Sequence, residues 1–186
     1  ATVEVAAGCQ FVVLATPVEH LREAILAIRP HLRRGAVVLD VCSVKVGPAQ
    51  IMEAELPEWV EVICTHPLFG PQSSKEGIAG RKIVLCPIRA KSTGRIAAFL
   101  RSALRLRVLF ATVAEHDREM ATVQGLTHLI AKLLVQMEPL PTRMTTASYD
   151  LLMTAVAMVR YDNASLFRAI EFSNPFAAEV RNRFLR

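Results

Sequence analysis

Five short apolar runs, separated by stretches of helical periodicity, constrain what this chain can fold into more than any other feature. "CQFVVLA", "GAVVLDVC", "WVEVICTH", "RKIVLCP" and "LRVLFAT" each have strand length and are rich in Val, Ile and Phe. "CQFVVLA" is apolar without interruption, the pattern of a strand buried on both sheet faces. Behind it, Val18, Leu21, Ile25 and Ile28 recur at helical spacing. "PAQIMEAEL" predicts a short helix opened by Pro48, and "STGRIAAFLRSAL" predicts another. Strand and helix alternating at this pitch imply a mostly parallel sheet with helices on its faces.

From about Ala114 the pattern becomes helical throughout. "AEHDREMATVQGLTHLIAKLLVQME" reads as one long helical stretch, and "MTTASYDLLMTAVAMVRYD" as a second, apolar on several sides. "ASLFRAIEFSNPFAAEVRNRFLR" completes the region. Helices this apolar pack on one another or on a second subunit. The division is therefore an α/β domain over residues 1–113 and an all-α domain over residues 114–186.

Composition excludes several classes. An apolar content of 52% argues against disorder, and no apolar run approaches the ~20 residues that span a bilayer. Without a basic-plus-apolar opening segment, the reading is a soluble, cytoplasmic protein with no membrane partner. The net charge of +5 lies largely in "IRPHLRR", "RSALRLR" and "RNRFLR". Few aromatics interleave with these arginines, so no nucleic acid partner is expected, and an anionic small molecule suits the charge equally well. Cys9, Cys42, Cys64 and Cys86 each lie within or at the end of an apolar run without a CxxC pair, and read as small core residues rather than metal ligands.

A doubly wound sheet normally opens with a strand, a glycine-rich turn and a helix whose N-terminus holds a pyrophosphate. No GxGxxG can be assembled from the eight glycines of this chain. Its first strand resembles the fourth of such a sheet, so the fold expected is the second half of a Rossmann-like parallel sheet followed by a helical domain.

Open α/β sheets place ligands at strand C-termini. Those ends carry Thr16-Pro17, Ser43-Val44-Lys45 and His66-Pro67. A hydroxyl, an ammonium and an imidazole converging on one edge suit a polar, anionic substrate, with histidine as proton acceptor near neutral pH. Taken singly, the same residues are equally explained as a helix cap, a solvated lysine and a backbone-bonded histidine. In the helical region, His116 and Asp117 read as caps of their own helix. Gln124 and His128, four apart, share a helical face.

Taken in order, "VVLATPVEHLREAI", "VLDVCSVKVGPAQIM", "THPLFGPQSS" and "EHDREMATVQGLTHLIA" resemble the prephenate/arogenate dehydrogenase family over essentially the whole chain. The family's opening βαβ segment has no counterpart, so the sequence is expected to be part of a longer enzyme. The resemblance implies oxidative decarboxylation of prephenate or arogenate with NAD or NADP, in tyrosine biosynthesis, by a homodimer formed through the helical domain. It implies His66 as acceptor of the 4-hydroxyl proton and Ser43 as the serine orienting that histidine near the cofactor. Lys45, Gln124 and His128 become substrate-site residues, and Thr16 and Pro17 line the cofactor's path. The arginine that grips the ring carboxylate in bacterial prephenate-specific members aligns with Met158, and Arg160 stands two residues on. Two other readings accompany it: a homologue without catalysis that serves as a dimerising or ligand-binding partner, and a reductase of the 6-phosphogluconate-dehydrogenase-like group.

Overall fold

The computed structural model describes residues 2–186. Strands β1 (Phe11–Leu14), β2 (Val37–Asp40), β3 (Glu61–Pro67), β4 (Lys82–Arg89) and β5 (Arg107–Phe110) form one sheet, ordered as they occur in the chain. Helix α1 (Val3–Ala7) precedes the sheet, and helices α2 (Leu21–Ile28) and α3 (Val46–Glu55) connect β1 to β2 and β2 to β3. These crossovers make both pairs parallel, and α4 (Thr93–Ser102) does the same for β4 and β5. Strands β3 and β4 are antiparallel. The loop joining them, residues 68–81, contains no helix, so the chain can only turn back on itself. Gly77 and Gly80 lie in that loop at φ of +109° and +77°, a region that suits glycine.

Each sheet face is covered by the helix that the periodicity predicts. Leu21, Ile25 and Ile28 of α2 and Met52 of α3 pack on Val12, Leu14, Val38 and Val62. On the opposite face, Ile96 and Ala97 of α4 pack on Val37, Ile63 and Leu85. Full burial of each such Leu or Ile contributes about 1.5–3 kcal/mol. The expectation that the first strand is buried on both faces fails. Strand β1 lies at the sheet edge and α4 covers only the strands further in, so Phe11 and Val13 are 54% and 57% exposed. Helix α3 starts at Val46, two residues earlier than predicted, which puts Pro48 in its first turn, where an N–H is not needed.

Cys42, Cys64 and Cys86 are core residues, and burial pushes the Cys42 and Cys86 thiols up to about 12. Cys9 is not a core residue. It sits exposed in the turn between α1 and β1, its thiol directed at the Val5 carbonyl.

The helical region opens with α5 (Val113–Met120), whose N-terminus is closed by a reciprocal capping box between Thr112 and Glu115. A widened π-helical turn, Ala121–Gly125, leads without a break into α6 (Leu126–Gln136). Helix α7 (Ala147–Val159) packs on α6, with Val156 its one buried residue. Then come α8 (Ala164–Arg168), a second π-helical turn at Ala169–Ser173, and α9 (Ala177–Phe184). The two π-helical turns pack against each other. Among the described residues, no helix is long and apolar enough to cross a membrane.

Candidate active site

Strand β3 delivers its last residues to a network built around a buried charge. Asp40, at the end of β2, is fully buried, and so is Lys45. The Lys45 ammonium donates to the Asp40 carboxylate and to the Thr65 carbonyl, the latter at 2.7 Å. The remaining capacity of Asp40 is filled by the backbone N–H groups of Cys42 (2.9 Å) and Thr65 (3.1 Å). Two charges can be held out of water only when geometry and hydrogen bonding are this complete. The network ties the end of β2, the turn into α3 and the residue before His66 into one unit.

His66 is 3% exposed. Its Nδ1 lies 2.8 Å from Nε2 of His116, and the Nδ1 of His116 lies 2.8 Å from Oδ1 of Asp117. Asp117 also accepts the backbone N–H groups of Lys45 (2.7 Å, Oδ1) and Val46 (2.8 Å, Oδ2). It therefore caps α3, seventy residues earlier in the chain, and not its own helix as the sequence implied. Asn174 donates to the Asp117 carbonyl at 2.7 Å and anchors the turn after α8 to the same point. Desolvation above all, with the nearby Lys45 charge, holds the His66 imidazole well below its ordinary 6.5. It is thus a neutral base at physiological pH.

The other ring nitrogen, Nε2, meets the Gln124 amide at 3.4 Å, a weak contact. The Gln124 side-chain oxygen is buried without a partner. One turn along, the Nδ1 of His128 bonds the Gln124 carbonyl at 2.9 Å, and its Nε2 meets Asp162 at 3.0 Å. Gln124, His128 and Lys132 follow one another at four-residue spacing, so a single helical face runs from His66 outward.

That face opens into a cavity of ≈ 320 Å³, whose lining includes His128, Lys132, Arg160, Asp162, Arg168 and Phe167. Arg160 is paired with Glu138 at 2.7 Å, whereas Arg168 lies 3.9 Å from Glu19. A second cavity of ≈ 240 Å³ lies at the ends of β1 and β2, lined by Thr16, Pro17, Ser43, Asn163 and Ser165 among others. The Thr16 hydroxyl there is buried and unpartnered. Helix α8 separates the cavities, with Ala164, Phe167 and Arg168 facing one and Ser165 and Leu166 the other.

Of the residues predicted from the sequence, Thr16, Pro17 and Ser43 share one cavity, His128 and Arg160 line the other, and His66 and Gln124 touch each other. Two placements differ from expectation. Lys45 does not face a ligand site: with Asp40 buried beside it, its ammonium turns inward to neutralise that charge. Ser43 is not among the hydrogen-bond partners of His66, a place taken by His116. His116 and Asp117 form the part that the sequence reading missed. Their signal in the sequence is the EHD triplet, which reads as readily as a helix cap as it does as chemistry.

The order of the strands, the ligand-side clustering and the helical extension define an α/β domain of the dinucleotide-binding class with a helical region attached. Residues 1–108 match the family described as "Prephenate dehydrogenase, nucleotide-binding domain", and the chain belongs to that family. It is 28% identical over 195 residues to the "Probable arogenate/prephenate dehydrogenase" of Methanocaldococcus jannaschii, covering 98% of this chain and 43% of that one. It is 31% identical over 159 residues to arogenate dehydrogenase 1, chloroplastic, of Arabidopsis thaliana, covering 82% and 25% respectively. The chain thus spans less than half the length of these relatives. Prephenate dehydrogenase from Aquifex aeolicus shares its fold, with a TM-score of 0.75 at 21% identity over 100% of this chain and 70% of that one.

Proposed function

We propose that this chain forms the reaction centre of a dehydrogenase that oxidises prephenate or arogenate with loss of carbon dioxide, in tyrosine biosynthesis. The observation that carries the reading is His66: a buried, neutral imidazole with one nitrogen committed to His116 and the other opposed only by a weak contact. The names of the relatives support the same reading, since they are arogenate or prephenate dehydrogenases.

The nicotinamide end of NAD or NADP fits the cavity at the ends of β1 and β2. Its buried, unpartnered Thr16 hydroxyl is an orphan that a ligand amide would satisfy, with Ser43 and Asn163 beside it and Pro17 shaping the wall. When bound there, a dinucleotide would supply the hydride acceptor. The chain carries no glycine-rich turn for the phosphates, so these residues hold only that end.

The chain's own contribution begins with removal of a proton from the substrate hydroxyl by Nε2 of His66, which stabilises the carbonyl forming as hydride departs. The hydroxyl displaces the weak Gln124 amide contact, and the unpartnered Gln124 oxygen offers an acceptor beside it. His128, Lys132 and Arg168 place positive or hydrogen-bonding groups along the cavity for substrate carboxylates. Arg160, fastened to Glu138, shapes the cavity's outer wall. Burial of His66 keeps water from competing for the proton.

Residues 1–113 and 114–186 act in this reading as cofactor-side and substrate-side domains. The substrate-side domain is also the dimer contact, since α7 and its flanks present Met144, Leu151, Met158 and Tyr161 outward. Buried free cysteines suit a reducing, cytoplasmic setting.

The test is His66→Asn, assayed with prephenate and with arogenate in the presence of each dinucleotide. Turnover should fall roughly 10²–10⁴-fold while substrate affinity stays near wild type. An undiminished kcat in soluble, folded variant would overturn the assignment.

A further inference from the structure

The dyad behind His66 has a chemical consequence that follows from counting donors and acceptors. Asp117 accepts two backbone N–H groups, from Lys45 and Val46, one on each carboxylate oxygen. An ionised carboxylate has acceptors only, so the 2.8 Å contact with His116 is a donation from His116 Nδ1–H. In a neutral imidazole, one nitrogen carries the proton and the other is bare. The Nε2 of His116 is therefore the bare nitrogen, and the 2.8 Å contact to His66 is a donation from His66 Nδ1–H. That leaves Nε2 of His66, on the Gln124 side, as the one ring-nitrogen lone pair of the two imidazoles with no donor committed to it at normal hydrogen-bond distance.

We propose that His116, held by Asp117, is a positioning residue that locks His66 in the Nδ1–H tautomer and shares the charge His66 acquires. This deepens the reading of His66 as the base and rests on it. When Nε2 of His66 takes the substrate proton, the ring would be a cation in a site that is 3% exposed. The Nδ1 proton then shifts along the existing hydrogen bond to Nε2 of His116. The cation now lies on His116, whose Nδ1–H still points at the Asp117 carboxylate. One proton enters and one moves on; no other group changes charge. Imidazoles stacked edge to face at 5.0 Å, with ring planes 65° apart, are held in line for the transfer.

His116 comes from α5, fifty positions away, and it is 2% exposed, so no solvent molecule replaces it as acceptor. The capping of α3 by the same Asp117 oxygens fixes the carboxylate rigidly, so the tautomer is set by backbone geometry and not by a mobile side chain.

The test is long-range ¹H–¹⁵N correlation NMR of the full chain labelled in its imidazoles, which reports directly which ring nitrogen is protonated. Wild-type His66 should be the Nδ1–H tautomer near pH 7.5, and His116→Phe, which keeps a ring but removes the acceptor, should abolish that preference. In steady-state assays, His116→Phe should lower kcat by roughly 10²–10³-fold with KM little changed, and His116→Gln, whose oxygen can accept the same proton, should recover part of it. A wild-type His66 found as the Nε2–H tautomer overturns the proposal, as does a His116→Phe protein with wild-type kcat. If His116→Phe fails to fold, the wild-type tautomer and His116→Gln still decide. Because the spectrum is read without turnover, it is independent of the substrate assignment: an inactive chain with the expected tautomer would overturn the dehydrogenase reading alone.

Discussion

His66 shows how burial sets chemistry at a single residue. An exposed imidazole takes up its proton near 6.5, and folded His66 resists that uptake because the cation would lie in a dry site near the Lys45 ammonium. The sign of the stability effect follows. As pH falls through 6.5 the unfolded chain binds a proton at this position and the folded chain does not, so the folded state loses ground. The loss continues until folded His66 is protonated as well. Thermal melts of wild type and His66→Asn should show a stability difference that shifts against wild type between about pH 7.5 and pH 5.5. A pH-independent difference would mean that His66 titrates normally. The acid limb of activity should likewise fall below 6.5, because the base stays neutral to lower pH. His66 itself was legible in the sequence: a strand-end histidine followed by proline, in the family's motif, needs no tertiary information. Lys45 was not. Its spacing from Ser43 puts it at the same strand end, and only the depth of Asp40 decides that it turns inward. His116 was legible as a helix residue, but nothing local to it reports a partner fifty positions away.

At the scale of elements, the turn from β2 into α3 is held by one ion pair. Removing the ammonium alone strands a fully buried carboxylate, so Lys45→Met should cost roughly 3–5 kcal/mol in urea unfolding. Pairing it with Asp40→Asn should recover part of that loss, since an amide oxygen can still accept from Cys42 or Thr65. A Lys45→Met chain within about 1 kcal/mol of wild type would mean that water reaches Asp40, against its complete burial. The strands and crossovers were readable because apolar runs and helical spacing are local properties. The exception was β1, whose sequence is as apolar as that of an inner strand, although its place at the sheet edge leaves alternate residues open. The π-helical turns were also hidden. The stretch from Val113 to Gln136 has an uninterrupted helical pattern, and the widened turn shows only in its packing against the second such turn, at Ala169–Ser173.

For the whole molecule, the helical region is unevenly finished. The inner strands of the sheet domain bury their apolar residues on α2, α3 and α4, whereas α7 turns Leu151 (73% exposed) and Met158 (52% exposed) to solvent. If a second copy covers this face, Leu151→Glu should convert a dimer to a monomer in sedimentation velocity while leaving the fold intact. A wild-type chain that is monomeric at micromolar concentration would remove the dimer from the proposal. The sequence's apolar helices gave this expectation its direction, since periodicity reveals an apolar surface but not its occupant.

The two N–H groups that Asp117 accepts, those of Lys45 and Val46, offer a window on the reaction centre that needs neither substrate nor dinucleotide. They are the amides at the N-terminal end of α3, and their protection depends on a side chain from α5. Their hydrogen-exchange rates therefore measure how often α5 and α3 part company. Any ligand, temperature or substitution that loosens the base's support should register there as faster deuterium uptake, before secondary structure is lost.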